Sequence, residues 1–215
     1  MLGGTVLVTV GGDVAGVERR LAAGVLRCPC GGVLAPWSFA VKRVIATVVG
    51  PRTVRPRRSR CGVCSVTHVL LPTRLFSRRK YAGVIIWACF LARVNGAKVA
   101  SIGRRVRVPA STVAGWLRRL GGERAERWRR VLMGVLGMLD ARVRPVEPDG
   151  GVAGGGRLGE ALAVLGAVAA AVRGRGGTLD RVTDQQVASH LSRGLLLAPS
   201  WTMESINTSP FLMPA

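Results

Sequence analysis

Four of the five cysteines in this 215-residue chain fall in two tight pairs, Cys28-Pro29-Cys30 and Cys61-Gly62-Val63-Cys64, about thirty residues apart. No other feature restricts the fold as sharply. A region of roughly 50 residues with few large apolar side chains buries too little surface to fold unaided and needs a staple. Two close cysteine pairs on separate turns supply one, because four thiolates can close a tetrahedron around Zn2+. Cys28 and Cys30 would make the first knuckle, Cys61 and Cys64 the second, and the intervening hairpin would space them. Gly31 and Gly32 suit a knuckle, since glycine lets backbone N–H groups turn toward sulfur. The C-x2-C pair has ordinary spacing, whereas the C-x-C pair is tighter. His68, four residues past Cys64, is therefore an alternative ligand if Cys30 points away. The competing reading of the four cysteines is that they are small buried hydrophobes. Cys89, inside the apolar run IIWACFLA, reads as core. A zinc ion held by four protein ligands has no open position for hydrolysis, and its binding energy is folding energy.

Charge points to the partner. Lys and Arg number 32 against 11 Asp and Glu, a net charge of +21. A field of that sign attracts polyanions, either nucleic acid or an anionic membrane surface. Arginine greatly outnumbers lysine, which suits bidentate contacts to phosphate and guanine. A GC-rich genome also favours arginine codons, but it does not explain the scarcity of acids. The longest apolar runs, residues 83–92 and 161–172, fall short of the roughly 20 residues that cross a bilayer. Core helices are expected there, and no membrane partner. The first residues, MLGGTVLVTVGGD, lack the basic segment of a signal peptide. The expected location is cytoplasmic and nucleoid-associated, where thiols stay reduced and such cysteine spacings favour metal over disulfide.

The pattern predicts an α+β fold. A strand is expected at residues 5–10 and a helix at 13–26 with Asp13 as its N-cap. Two β-leaning segments, 39–50 and 53–61, flank a Gly50-Pro51 turn, and a strand follows at 66–72. Helices are expected at 79–94, 98–106, 111–120, 123–143 and 158–173. A capping box at Thr183–Gln186 opens a last helix toward Leu197. The organisation read from these elements is a zinc ribbon with short antiparallel strands (1–73), then a mainly helical region (74–143). A Gly/Pro-rich linker (144–157), C-terminal helices (158–199) and a flexible tail (200–215) complete it.

Residues 99–120, VASIGRRVRVPASTVAGWLRRL, carry the sharper functional signal. Ile102, Val106, Val108, Val113 and Trp116 recur at the offsets that pack two helices of a helix-turn-helix, within about residues 98–120. Gly103 is the small residue expected after the first apolar position, and Arg107–Ala110 is the turn. Arg107 departs from the pattern, since such turns normally have glycine there and a non-glycine residue with positive φ costs free energy, though it occurs. The competing reading is an ordinary helical hairpin. In a helix-turn-helix, Ala110, Ser111, Thr112 and Gly115 would face bases through hydroxyl and methyl contacts. Arg104, Arg105, Arg107, Arg118 and Arg119 would hold phosphates and set the docking register. Arg52, Arg55, Arg57, Arg58 and Arg60, with no acid among them, would form a second basic strip on the zinc hairpin. The partner implied is double-stranded DNA, bound less tightly as salt rises.

The stretches CPCGGVLAPW, RPRRSRCGVCSVTHVLLP and RVPASTVAGWLRRL together resemble actinobacterial helix-turn-helix proteins with an N-terminal zinc-ribbon-like domain of unknown function. That family is similar in layout to the DNA-binding heads of insertion-sequence transposases. The resemblance spans about residues 5–139 and is most specific at RCGVCSVTHVLLP. It implies DNA binding and an association with mobile elements, and no established reaction. The family pattern has C-x2-C in the first knuckle where this chain has C-x-C.

A DDE transposase needs three carboxylates converging on two metal ions inside a sizeable α/β domain. Most of the acids here fall on predicted helices or in the linker, and roughly 60 residues after the linker cannot build such a domain. The lone tyrosine, Tyr81, precedes the helix-turn-helix. No catalysis and no small-molecule substrate are expected. The first expectation is a DNA-binding regulator or the DNA-recognition component of a mobile element. The alternative is a non-catalytic assembly protein whose C-terminal helices dock a transposase or a second copy, or a decayed transposase-related remnant. An RNA-binding role is disfavoured by an aromatic content of 5%.

Overall fold

Strands fill the first third of the chain and helices the rest, so the fold is α+β. The structure, a computed structural model, describes residues 6–11, 14–140, 155–199, 201–202 and 206–207. The expected cap at Asp13, residues 141–154 of the predicted helix end and linker, and most of the tail lie outside these residues.

The N-terminal part runs β1 (Val6–Val10), α1 (Val14–Ala22), β2 (Leu34–Phe39), β3 (Arg43–Thr47), β4 (Gly50–Val54), β5 (Arg57–Cys61) and β6 (Thr67–Pro72). Helix α1 stops short of the predicted Leu26, because Gly24 turns left-handed at φ 64° and sends the chain toward Cys28. Four strands make one sheet in the order β1-β6-β5-β2. The β2–β5 and β5–β6 pairs are antiparallel, as expected of a ribbon, but β1 runs parallel to β6. The whole ribbon serves as the long crossover that a parallel pair requires, and β1 covers an edge of β6 that would otherwise stand open. Strand β2 has no expected counterpart, because Pro36 argues against a strand. It is tolerated there because β2 is the sheet edge and the register shifts between Pro36 and Ser38.

Strands β3 and β4 form a separate hairpin. Its turn falls at Val48-Val49 rather than Gly50-Pro51, since Thr47 pairs with Gly50. Pro51 sits opposite Ala46, whose N–H donates to Lys80 O (2.8 Å) and whose carbonyl accepts from Ala82 N–H (2.9 Å). The missing proline donor is thus not called upon. The same contacts hold residues 80–82 extended, so the next helix starts at Gly83 and not at Arg79.

The helical part comprises α2 (Gly83–Val94), α3 (Val99–Val106), α4 (Ala110–Leu120), α5 (Gly122–Leu139), α6 (Gly156–Arg173), a single 3-10 turn (Gly177–Leu179) and α7 (Asp184–Leu191). Phe76, Phe90, Trp116, Trp128, Leu165 and Val187 belong to one continuous core. Residues 158–199 therefore complete the core of 74–139 rather than standing apart from it. Across the α5–α6 contact, Arg129 pairs with Glu126 at 3.0 Å and Glu160 at 3.7 Å.

Helix α7 opens on the expected capping box, Thr183 with Gln186. It ends at Leu191 instead of running toward Leu197, because Arg193 and Gly194 both take positive φ. Its buried polar face ties the helices to the sheet. Gln185 Nε2 donates to Thr73 O (2.8 Å) and Ser189 Oγ to Leu75 O (2.9 Å). The His190 ring lies between Thr9 Oγ1 (3.2 Å) and Asn207 Nδ2 (3.1 Å). Two points of the expected flexible tail are docked: Trp201 is buried under Arg124, and Asn207 N–H donates to Leu191 O. Among the described residues no helix is long and apolar enough to cross a membrane.

Candidate metal centre and nucleic-acid interface

Both knuckles are built by short backbone loops. In the first, Cys28 N–H donates to Gly32 O (2.8 Å) and Gly31, at φ 86°, returns its N–H to Cys28 O (2.8 Å). The second is the β5–β6 turn. There Cys61 N–H donates to Val66 O (3.0 Å), Ser65 N–H to Cys61 O (3.1 Å), and Ser65 takes φ 58°. Gly62 N–H reaches Val33 O (3.1 Å) and joins one knuckle to the other.

The outcome is one cluster. The sulfurs of Cys28, Cys30, Cys61 and Cys64 all lie within 4.8 Å of one another, with Cys28–Cys64 at 3.6 Å and Cys30–Cys61 at 3.5 Å. A tetrahedron with metal–sulfur bonds of about 2.3 Å has edges of about 3.8 Å. The four cysteines could therefore hold a metal ion, and their spacing is compatible with zinc. Cys30 points into the cluster despite the short C-x-C spacing. His68, on β6 and 1% exposed, lies beside it, with Nε2 3.3 Å from Cys28 Sγ. Gly32 is required by proximity: a Cβ there would sit 2.6 Å from Cys61 Sγ. Burial pushes the Cys28 thiol up to about 12, whereas backbone N–H groups of Cys64 and Val63 hold Cys61 down at about 6. Four sulfurs this close cannot all ionise on their own, and a divalent cation held there would supply the compensating charge. Cys89 lies far from this chemistry in chain and role; it is fully buried and donates to Ile85 O at 3.2 Å.

Helices α3 and α4 meet at the predicted turn. Arg107 takes φ 55°, its N–H donates to Arg104 O (3.3 Å), and Val108 N–H reaches Gly103 O (2.9 Å). This paired closure of a helix end is the one glycine usually serves. Gly103 lets the second helix approach, since a Cβ there would lie 2.7 Å from Val108 O and 3.3 Å from Ala110 N. Ile102, Val108, Val113 and Trp116 are buried between the helices as the offsets require, and Val106 is half-buried. Trp116 stacks edge-on against Tyr81 at 5.3 Å. Helix α4 begins at Ala110, one residue earlier than expected.

The exposed side of this unit carries most of the predicted contact residues. Ala110, Ser111, Arg104, Arg105, Arg107, Arg118 and Arg119 are exposed, and Thr112 is half-buried. Gly115 departs from expectation. It is buried, because the Arg119 side chain lies over it, with Nη1 3.2 Å from where a Cβ would stand. Among the described residues none of these five arginines forms an ion pair.

The second basic strip spans two sheets. Arg52 belongs to the β3–β4 hairpin, while Arg57, Arg58 and Arg60 lie on β5. The tip of the hairpin and the α3–α4 elbow line a shared groove of about 620 Å³, which includes Val48, Gly50, Tyr81, Arg105 and Arg107. Arg57 is committed to structure: it pairs with Glu18 at 2.9 Å and donates to Ser38 O at 3.1 Å. Arg58 is half-buried, whereas Arg52, Arg55 and Arg60 are exposed. Sequence reasoning missed two neighbours of this strip, Trp37 and Phe39 on β2. Arg60 lies 5.0 Å from the Trp37 ring centroid, and Arg55 and Arg57 lie 5.0 and 4.5 Å from that of Phe39. The alternating aromatics of APWSF were the available signal, masked by Pro36.

No family model, curated protein or solved structure matches this chain.

Proposed function

We propose that this chain is a zinc-containing helix-turn-helix protein that binds double-stranded DNA in the nucleoid, as a regulator or as the DNA-recognition component of a mobile element. The observation that carries this reading is the α3–α4 elbow. A glycine-permitted close approach, a left-handed Arg107 and an outer face of small residues coincide in one unit. That face is ringed by arginines that form no ion pair among the described residues. Ala110, Ser111 and Thr112 at the start of α4 are short enough for the helix to enter a major groove and read bases by hydroxyl and methyl contacts. Arg104, Arg105, Arg107 and Arg118 supply phosphate contacts that fix the register. Arg119 joins them by swinging off Gly115. In this reading Zn2+ on the four cysteines holds the ribbon in shape and does no chemistry, because protein sulfur fills every position.

The reading is of a binder, in which five of the acids serve structural ion pairs. Glu18, Glu123, Glu126, Glu160 and Asp184 are each paired with arginine. The C-terminal helices, which an assembly role would need for docking, are packed into the chain's own core.

The test is selection from a random duplex library with zinc present at physiological salt. Enrichment of one motif, lost on Ser111→Arg substitution, is the expected result. Salt-dependent binding with no enriched motif would refute base reading by α4 and leave a non-specific basic protein.

A further inference from the structure

We infer that the groove between the tip of the β3–β4 hairpin and the α3–α4 elbow is a docking site for a partner protein. The segment it takes carries apolar side chains interspersed with Asp or Glu.

Exposed apolar surface is the first observation. Val48, Pro51, Val84 and Ala88 line the groove. Val48 is 75% exposed and Val84 52%. Val49, beside Val48, is 75% exposed, and Leu91, two turns along α2 on the same helix face as Val84, is 45% exposed. Apolar surface of this kind inside a polar rim marks a protein-binding site. The valines stand open rather than enclosed, so a small molecule would leave most of their surface in water.

The hairpin turn is the second. Two-residue turns favour Asn and Gly and have no use for β-branched residues. Here Thr47 closes the turn: its Oγ1 donates to Gly50 O (2.7 Å) and accepts from Val49 N–H (3.4 Å), and Gly50 takes φ 115°. Nothing in the turn itself calls for Val48 or Val49. The base of the hairpin is fixed, because Ala46 bonds to Lys80 and Ala82 and Ile45 is buried with Leu71 and Leu75. Val48 is thereby held at the groove.

Charge identifies the partner. Arg105 and Arg107 line the same groove and form no ion pair among the described residues. Lys80 stands over the ring of Tyr81 on the groove wall, with Nζ 5.9 Å from its centroid. Between Glu18 and Glu123 the chain has no Asp or Glu, so the elements that build this groove carry no acid of their own. A second copy would bring the same cations to the same face, and like charges oppose that. A nucleic-acid backbone would meet the arginines but give the valines no apolar partner. An acidic segment with apolar side chains satisfies both. Arg105 and Arg107 also belong to the elbow, so a docked partner would displace DNA phosphate from them; that consequence rests on the DNA-binding reading, whereas the groove does not.

The test is selection from a random peptide display library against the full chain, with zinc present and nucleic acid absent. Enriched peptides should share apolar residues interspersed with Asp or Glu. A synthetic copy of the best of them should bind about tenfold more weakly to Val84→Ser and to Val48→Ser, the loss of one buried valine contact. Arg105→Gln should weaken it about threefold. Both valine variants should keep wild-type duplex affinity. No enriched peptide would overturn the site. Peptides that bind both valine variants as well as wild type would overturn it too, and would leave only charge attraction. Loss of duplex affinity in the valine variants would give the groove to DNA instead. Conversion of a dimer to a monomer by either substitution, seen by sedimentation velocity, would give it to a second copy. The peptide should also displace a duplex from the wild-type chain. Simultaneous binding would take Arg105 and Arg107 away from the DNA backbone, refuting that part of the α4 reading and leaving the groove standing. A chain that binds the peptide but no duplex would refute the DNA reading alone.

Discussion

Replacing Gly103 by alanine should destabilise the protein, although alanine is the better helix former. Gly103 is interior to α3, where the exchange alone is worth about 1 kcal/mol in favour of alanine. The new Cβ would stand 2.7 Å from Val108 O, 3.3 Å from Ala110 N and 3.4 Å from Ala110 Cα. All three are backbone atoms, so no side chain can rotate away. Relief requires α4 to move off α3 by several tenths of an ångström, which strains the 2.9 Å bond from Val108 N–H to Gly103 O. Overpacking of this kind costs about 1–3 kcal/mol. The net loss is about 1 kcal/mol, or a Tm lower by about 2–4 °C for a chain of this size. Gly134 provides the control. It is exposed on α5, and a Cβ there meets nothing within 4 Å. Gly134→Ala should therefore raise Tm by about 2–4 °C. Thermal unfolding of both variants, followed by circular dichroism, reads the two signs. If Gly103→Ala is stabilised as much as Gly134→Ala, the two helices do not meet at Gly103 and the close approach that shapes the elbow is refuted.

Three further outcomes follow from the same geometry. Cys61→Ser should lose bound zinc and unfold the ribbon, and Gly32→Ala should weaken metal retention by driving a methyl into the Cys61 sulfur; zinc content measured after dialysis against a mild chelator checks both, and wild-type retention in either would discredit the centre. Glu126 is held down at about 2 by Arg129 and then Arg130, so its ion pairs stabilise the fold above its unfolded value of about 4.3 and are lost as pH falls toward 2. The Tm advantage of wild type over Glu126→Gln should accordingly shrink between pH 5 and pH 2, and a constant difference would show that the pairs contribute nothing. Removing Arg104 or Arg105 should lower the slope of log affinity against log salt by about 0.9 for each phosphate no longer neutralised, as read by fluorescence anisotropy on a fixed duplex; an unchanged slope would place these arginines away from the backbone.

The metal cluster and the elbow were legible in the sequence because each is specified locally. Cysteine spacing builds a knuckle within five residues, and apolar offsets with one glycine and one turn build a helix pair within twenty-two. The capping box at Thr183 was legible for the same reason. What eluded sequence reasoning depends on partners distant in the chain. Pro36 hid β2, whose edge position is set by β5 on the far side of the hairpin. The parallel placement of β1 depends on an edge of β6 some sixty residues later. The division of the arginines had no local sign either: Arg57 is bound by Glu18, while Arg55 and Arg60, close by in sequence, are exposed and meet no acid among the described residues. Likewise, the C-terminal helices look as though they could pair with another protein until α5 and the sheet are seen to cover them. Residue order alone settles which short segments can form, because backbone geometry, side-chain volume and ligand spacing act over a few residues. Which charges and aromatics stay exposed is settled only by the folded chain, because desolvation and ion pairing depend on the neighbours that folding brings together.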